Sequence, residues 1–196
     1  MRKNLITMAT ILIAAAGAAC DRTLSARAAT VVDSVIPRDE ALRRFRVGLP
    51  KVDSLSGGER SRDALVHAFV RALAANDTAA LRAMLMTKAE YAWLYYPTNP
   101  QGLPPYDLAP ALYWFMIEGR SDQGLTQVLA ERGGRPLHVA GYTCDPAASH
   151  EGDNRVYGPC QLRRVQAPGD TVAERLFGPI LERRGRFKFV SYANKL

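Results

Sequence analysis

Histidine and cysteine are scarce in this chain, with three of each among 196 residues, and their spacing excludes the commonest metal and redox sites. His67, His138 and His150 show neither H-x3-H nor H-E-x2-H spacing, and the cysteines form no C-x2-C pair. A G-x-S-x-G nucleophile elbow and a phosphate-cradling P-loop are also missing. Asp145, Glu151, Asp153 and Asn154, near His150, offer oxygen atoms to a calcium ion, but not in the EF-hand register and without its terminal glutamate. No cofactor or metal is expected. There is no internal repeat, and beyond residue 19 no apolar run approaches the roughly twenty residues that a membrane span needs.

What the chain has at its start is an export leader. Arg2 and Lys3 supply a positive entry, and Leu5 to Ala19 form an uncharged run that closes on small side chains. The run ends at Gly17-Ala18-Ala19-Cys20, which resembles the lipobox of bacterial lipoproteins. That resemblance implies cleavage before Cys20, a diacylglycerol on its thiol, and an envelope location facing the periplasm or the cell exterior. The membrane would then be the first partner, because two or three acyl chains at about 0.8 kcal/mol per buried methylene hold almost permanently. Asp21 resembles the inner-membrane retention signal of enteric lipoproteins. The alternatives are ordinary secretion with cleavage after Ala28 in "SARAAT", and an uncleaved anchor.

With Cys20 lipidated, Cys144 and Cys160 remain as one pair. They flank "CDPAASHEGDNRVYGPC", which reads as a long surface loop between strands. A disulfide across its base would restrict the unfolded chain by roughly 3 kcal/mol for a loop of about fifteen residues, and it suits an oxidising compartment. The formal charge is +7, mostly arginine, with clusters at Arg43-Arg44-Arg46, Arg163-Arg164 and Arg183-Arg184-Arg186-Lys188. Export argues against nucleic acid as a partner. The clusters read either as solvated surface or as contacts to anionic lipid or cell-wall polymer.

Three regions follow: a signal peptide over 1–19, a lipidated N-terminus and tether over 20–60, and a domain over 61–196. Within the tether, "DEALRRFRVGL" predicts a short helix capped by Asp39, with Leu42, Phe45 and Leu49 on one side. Leu65, Phe69, Val70 and Leu73 form a helical stripe, and Asn76-Asp77-Thr78 breaks it and caps the next helix. Thr87 and Glu90 fit a capping box. Asp107 and Pro110 open a longer helical run with Leu108, Leu112, Phe115 and Met116 on one face, a break near Gly119 to Ser121, and a stop at Gly133-Gly134. The period then falls to two. "PLHVAGYTC", "RVYGPCQLRRV", "TVAERLFGPILERR" and "RFKFVSY" read as strands, the last two joined by a tight turn at Arg184-Gly185, with a bulge or edge at Gly178-Pro179. Helices first and strands afterwards predict an α+β fold, an N-terminal helix layer packed on a bent antiparallel sheet of about four strands.

The stretches "LVHAFVRALAANDTAALRAML" and "ERRGRFKFVSYAN" resemble the opening helix pair and closing hairpin of the NTF2-like superfamily, which includes SnoaL-like proteins and ketosteroid isomerases. The resemblance implies a cone-shaped pocket between sheet and helices, and dimerisation through the sheet. Its enzymes pair an acid with a tyrosine, whereas many members are non-catalytic binding domains. No catalytic position can be assigned here on that basis.

Half of the aromatic residues fall between Tyr91 and Phe115. They are either the core of the helix layer or a binding mouth, for which Tyr91, Trp93, Tyr95, Tyr106, Trp114 and Glu118 are the candidate residues. The expected function is a membrane-anchored envelope lipoprotein whose non-catalytic domain binds a partner protein or a small ligand. The alternatives are a small hydrolase or isomerase using an acid and a tyrosine in the cone pocket, and a purely structural envelope component.

Overall fold

The computed structural model describes residues 36–145 and 148–195. Residues 1–35, which include the expected leader, the expected lipidation site Cys20 and the first part of the expected tether, lie outside the described residues. Among those described, no helix is long and apolar enough to cross a membrane.

The described residues open with α1 (Arg38–Phe45), α2 (Arg62–Ala74) and α3 (Thr78–Ala83). α2 is set by its stripe: Leu65, Val66, Phe69, Ala72 and Leu73 are buried, and the Ser61 hydroxyl accepts the Ala64 N–H at its N-terminus. Asn76 turns the chain with a φ of 54°, and the Asp77 carboxylate caps α3 through the Ala80 N–H. The Thr87–Glu90 capping box is formed and starts α4 (Lys88–Glu90). From Tyr91 the helix widens to a π-helical turn over Tyr91–Tyr95, then tightens into 3-10 turns over Tyr96–Thr98 and Pro100–Gly102. The long helix α5 (Pro110–Arg132) follows, with Gly133 at its C-cap.

Among the described residues, seven strands make two antiparallel sheets, one of order β1-β4-β5 and one of order β2-β3-β6-β7. They are β1 (Val139–Cys144), β2 (Ser149–Glu151), β3 (Asn154–Tyr157), β4 (Cys160–Ala167), β5 (Asp170–Glu174), β6 (Ile180–Arg183) and β7 (Arg186–Phe189). β3 passes into β4 across Gly158-Pro159, and β5 into β6 across residues 175–179, so strands of one sheet continue into the other. Arg184 and Gly185, with φ of 50° and 73°, turn β6 into β7 in a two-residue hairpin. Cys144 and Cys160 face each other across the β1–β4 ladder and are joined by a disulfide.

One core gathers α2, α3 and the second half of α5 against the strands. There Phe69 meets Phe177 at 5.2 Å, and Tyr192 donates its hydroxyl to the Leu81 carbonyl. Gly124 allows α5 to press on the C-terminal segment, since a Cβ at this position would sit 1.9 Å from the Tyr192 carbonyl oxygen. A second core gathers Leu42, Leu55, Met86, Tyr91, Tyr95, Tyr96, Ile117 and Leu181.

Several local expectations are corrected. Pro37, not Asp39, precedes the first turn of α1, and Asp39 lies within that turn. The stretch read mainly as tether packs on the body from α1 onward: Leu42 and Leu55 are buried, and Arg46 donates two hydrogen bonds to the Ala92 carbonyl. α5 runs unbroken through Gly119–Ser121 and presents a different face inward, burying Ile117, Ser121, Gly124, Leu125 and Val128. Leu112 and Phe115 point to solvent, because Tyr113 and Trp114 pack instead against Tyr91, at 5.9 and 5.1 Å between ring centres. The segment between the cysteines is not an open loop, since β2 and β3 form a hairpin within it.

Candidate binding groove beside Trp114

The six aromatic and acidic candidates do not converge on one mouth. Tyr91 and Tyr95 are buried inside the second core. The Tyr91 hydroxyl donates to the Pro110 carbonyl at 2.9 Å, and burial pushes both phenols far above the ordinary range. Trp93 is half-buried under the segment that follows α1, with the Arg46 guanidinium 4.0 Å from its ring centre and the Lys51 ammonium at 5.8 Å. Tyr106 is exposed on the loop before α5. Trp114 and Glu118 do come together, lining one groove.

That groove, of about 280 Å³, runs between α5 and the chain from Arg82 to Lys88. Leu85, Met86, Ile117 and Val190 make its apolar floor, and Trp114 stands at its wall. Its rim is charged: Arg82 pairs with Asp122 at 2.9 Å, and Lys88 and Glu118 line the same cleft. Local structure explains why it is there. Residues 84–86 leave α3 to run beside β7, where the Met86 N–H donates to the Phe189 carbonyl, and the Thr87 cap then turns the chain into α4. α5 is held against the C-terminal segment by the Tyr192 N–H on the Ser121 hydroxyl. The two walls are therefore fixed independently. The Trp114 indole N–H is buried and has no hydrogen-bond partner. The shape and lining suit an amphipathic guest, with an apolar body on the floor and a polar end at the rim.

Two further polar sites are internal. Glu90 is fully buried, and its carboxylate accepts from the Ser56 N–H and hydroxyl, the Thr87 N–H and the Lys188 ammonium at 3.0 and 3.1 Å. Burial opposes its ionisation, but these donors outweigh it and hold the carboxyl below its ordinary value. Glu151, at the β2–β3 tip, accepts from Asn99 and Ser149, and there burial wins and pushes the carboxyl up. Burial, and the nearby Glu151 charge, push the Tyr95 and Tyr113 phenols up. Glu151 does not line the groove.

No protein-family model matches the chain, and no curated protein or solved structure matches it either.

Sequence reasoning found Trp114 and Glu118 but missed Leu85, Met86 and Val190. The first two lie on a short extended link between helices, and Val190 lies just past β7, so no helical or alternating period marks them as neighbours. The described residues hold no group of three or more His, Cys, Asp or Glu placed to hold a metal ion.

Proposed function

We propose that this chain is a lipid-anchored protein of the bacterial cell envelope, carried on Cys20, whose NTF2-like domain binds an amphipathic small ligand or a partner segment. The observation that carries the binding role is the groove along α5, with an apolar floor, a charged rim and an indole at its wall. The leader and the lipobox-like Gly17-Ala18-Ala19-Cys20 support the anchor, and the Cys144–Cys160 disulfide suits an exported protein. An opening helix pair followed by antiparallel strands that pass from one sheet into the next supports the NTF2-like reading. In that reading the cone is closed by Tyr91, Tyr95 and Tyr96, and binding moves to the groove outside it.

Metabolic labelling with a fatty acid tests the anchor: label is expected on the wild type, none on Cys20→Ser, and an unlabelled, soluble wild type refutes it. Crosslinking in cells followed by detergent purification tests the binding role. Trp114→Ala should lose the crosslinked partner or ligand to a greater extent than its unfolded fraction explains, and unchanged recovery contradicts the groove.

A second reading, an acid-and-tyrosine hydrolase or isomerase, is favoured by Glu151 beside Tyr95 and Tyr113. It requires substrate to reach packed side chains. Soaking with small esters and enones while monitoring turnover of wild type and Glu151→Gln decides it: turnover lost in the variant supports the enzyme.

A further inference from the structure

Five of the exposed large apolar residues lie on three neighbouring segments: the approach to α1, the loop before α5 and the first turns of α5. Ile36 precedes α1; Leu103 and Tyr106 sit on the loop that enters α5; Leu112 and Phe115 lie on the first two turns of α5, with Phe115 71% exposed and Tyr106 59%. These segments are tied together. The Arg38 guanidinium donates to the Gly102 carbonyl at 2.7 Å and to the Pro97 carbonyl at 2.8 Å, the Tyr106 N–H donates to Leu103, and the Leu108 N–H donates to Gln101. Tyr96 reaches across to the Leu108 carbonyl. The patch is thus carried on backbone held by hydrogen bonds, and Leu112 and Phe115 are neighbours at i and i+3. Leucine, phenylalanine and tyrosine grouped in this way on an exposed face mark an interaction surface.

The occupant is indicated by where the chain comes from. Ile36 is the first described residue, and it lies within the patch. Cys20 is sixteen positions upstream, a reach of at most roughly 58 Å at up to about 3.6 Å per residue. The geometry points to a membrane-facing surface: Ile36, Leu103, Tyr106, Leu112 and Phe115 rest on the lipid interface beside the point where the anchored chain enters the body. Apolar residues sit in the acyl boundary and tyrosine at the headgroup level, as in interfacial helices. The groove, which starts at Trp114 between Leu112 and Phe115 and continues along α5 to Asp122, is then held in a set orientation to the bilayer. This inference rests on the lipid-anchor reading, and the two are separable by experiment.

With Cys144 and Cys160 bridged and Cys20 lipidated, a single introduced cysteine takes a nitroxide label uniquely. Leu112→Cys, Phe115→Cys and, as a control on β4, Val165→Cys are reconstituted as mature protein in vesicles of equal phosphatidylethanolamine and phosphatidylglycerol. Collision rates with oxygen and with an aqueous nickel chelate are then compared. Labels at 112 and 115 should gain oxygen contact and lose nickel contact several-fold against 165. Labels as aqueous as the control overturn the proposal, and so do labels shielded from both reagents and broadened by spin coupling, which would place a second copy on the patch. The mass of the N-terminal peptide reports lipidation separately. Lipid on Cys20 with aqueous labels removes the surface and keeps the anchor; interfacial labels on protein without lipid remove the anchor and keep the surface.

Discussion

Replacing Lys188 by methionine should unfold this protein more readily than any surface change. Lys188 is 2% exposed and Glu90 is fully buried, and the ammonium lies 3.0 and 3.1 Å from the two carboxylate oxygens. The substitution fills a similar volume, so little is lost in packing; what it leaves is a buried carboxylate with only Ser56 and Thr87 as donors. Breaking a buried pair from one side costs about 3–5 kcal/mol. For a domain of this size that is roughly 6–20 °C of melting temperature, at about 2–4 °C per kcal/mol. Glu90→Gln/Lys188→Met removes both charges and keeps one acceptor oxygen, for either Ser56 or Thr87, which donate to different carboxylate oxygens; it should still cost clearly less than the sum of the two single changes. The pH dependence has a definite sign. In the wild type the carboxyl is held below its ordinary value of 4.5, so its contribution is present above that pH and lost as pH falls through the depressed value. In Lys188→Met the unpaired carboxyl rises, and the deficit against wild type should narrow on acidification. Urea unfolding followed by tryptophan fluorescence, at neutral and acidic pH, measures all of this. A Lys188→Met variant within about 1 kcal/mol of wild type, or a double variant as costly as the sum, would refute the reasoning.

Three other expectations follow from the same contacts. Removing the disulfide as Cys144→Ala/Cys160→Ala should cost about 3 kcal/mol, from the loop it closes, read by the shift in urea midpoint. Trp93→Ala and Trp114→Ala should each cost roughly 1.5–3 kcal/mol, less than a fully buried tryptophan, but only Trp114→Ala should weaken crosslinking; equal loss in both would deny the groove a special place. Glu151 is pushed up by burial, so folded protein binds its proton more tightly than the unfolded chain, and stability should fall as pH rises from about 4.5 through the raised value. Glu151→Gln should flatten that fall, and an unchanged slope would show that this carboxyl titrates normally.

What could be read in advance was local. The α2 stripe, the Asp77 break, the Thr87–Glu90 box and the Arg184-Gly185 hairpin each depend on residues within a few positions of one another, and each is present. The two cysteines, too, were legible as a pair. The inner face of α5 was not: Leu112 and Phe115 are as apolar as Tyr113 and Trp114, and only the position of Tyr91 decides which pair turns inward. Packing of the 36–60 stretch was hidden for a similar reason. Its sequence is polar and rich in glycine, and what holds it is Arg38 and Arg46 reaching distant backbone carbonyls and Ser56 reaching Glu90. The groove needs residues from α3, the link before α4, α5 and the C-terminal segment, so it arises only from the tertiary arrangement.

The most direct test of the binding role is a photoreactive side chain placed at Glu118, on the exposed rim of the groove, in protein expressed in its own cells and illuminated intact. The account predicts a discrete covalent adduct at 118, absent when the same group stands at Val165 on β4 and diminished by Trp114→Ala. Adduct formation at 118 no greater than at 165 would contradict it.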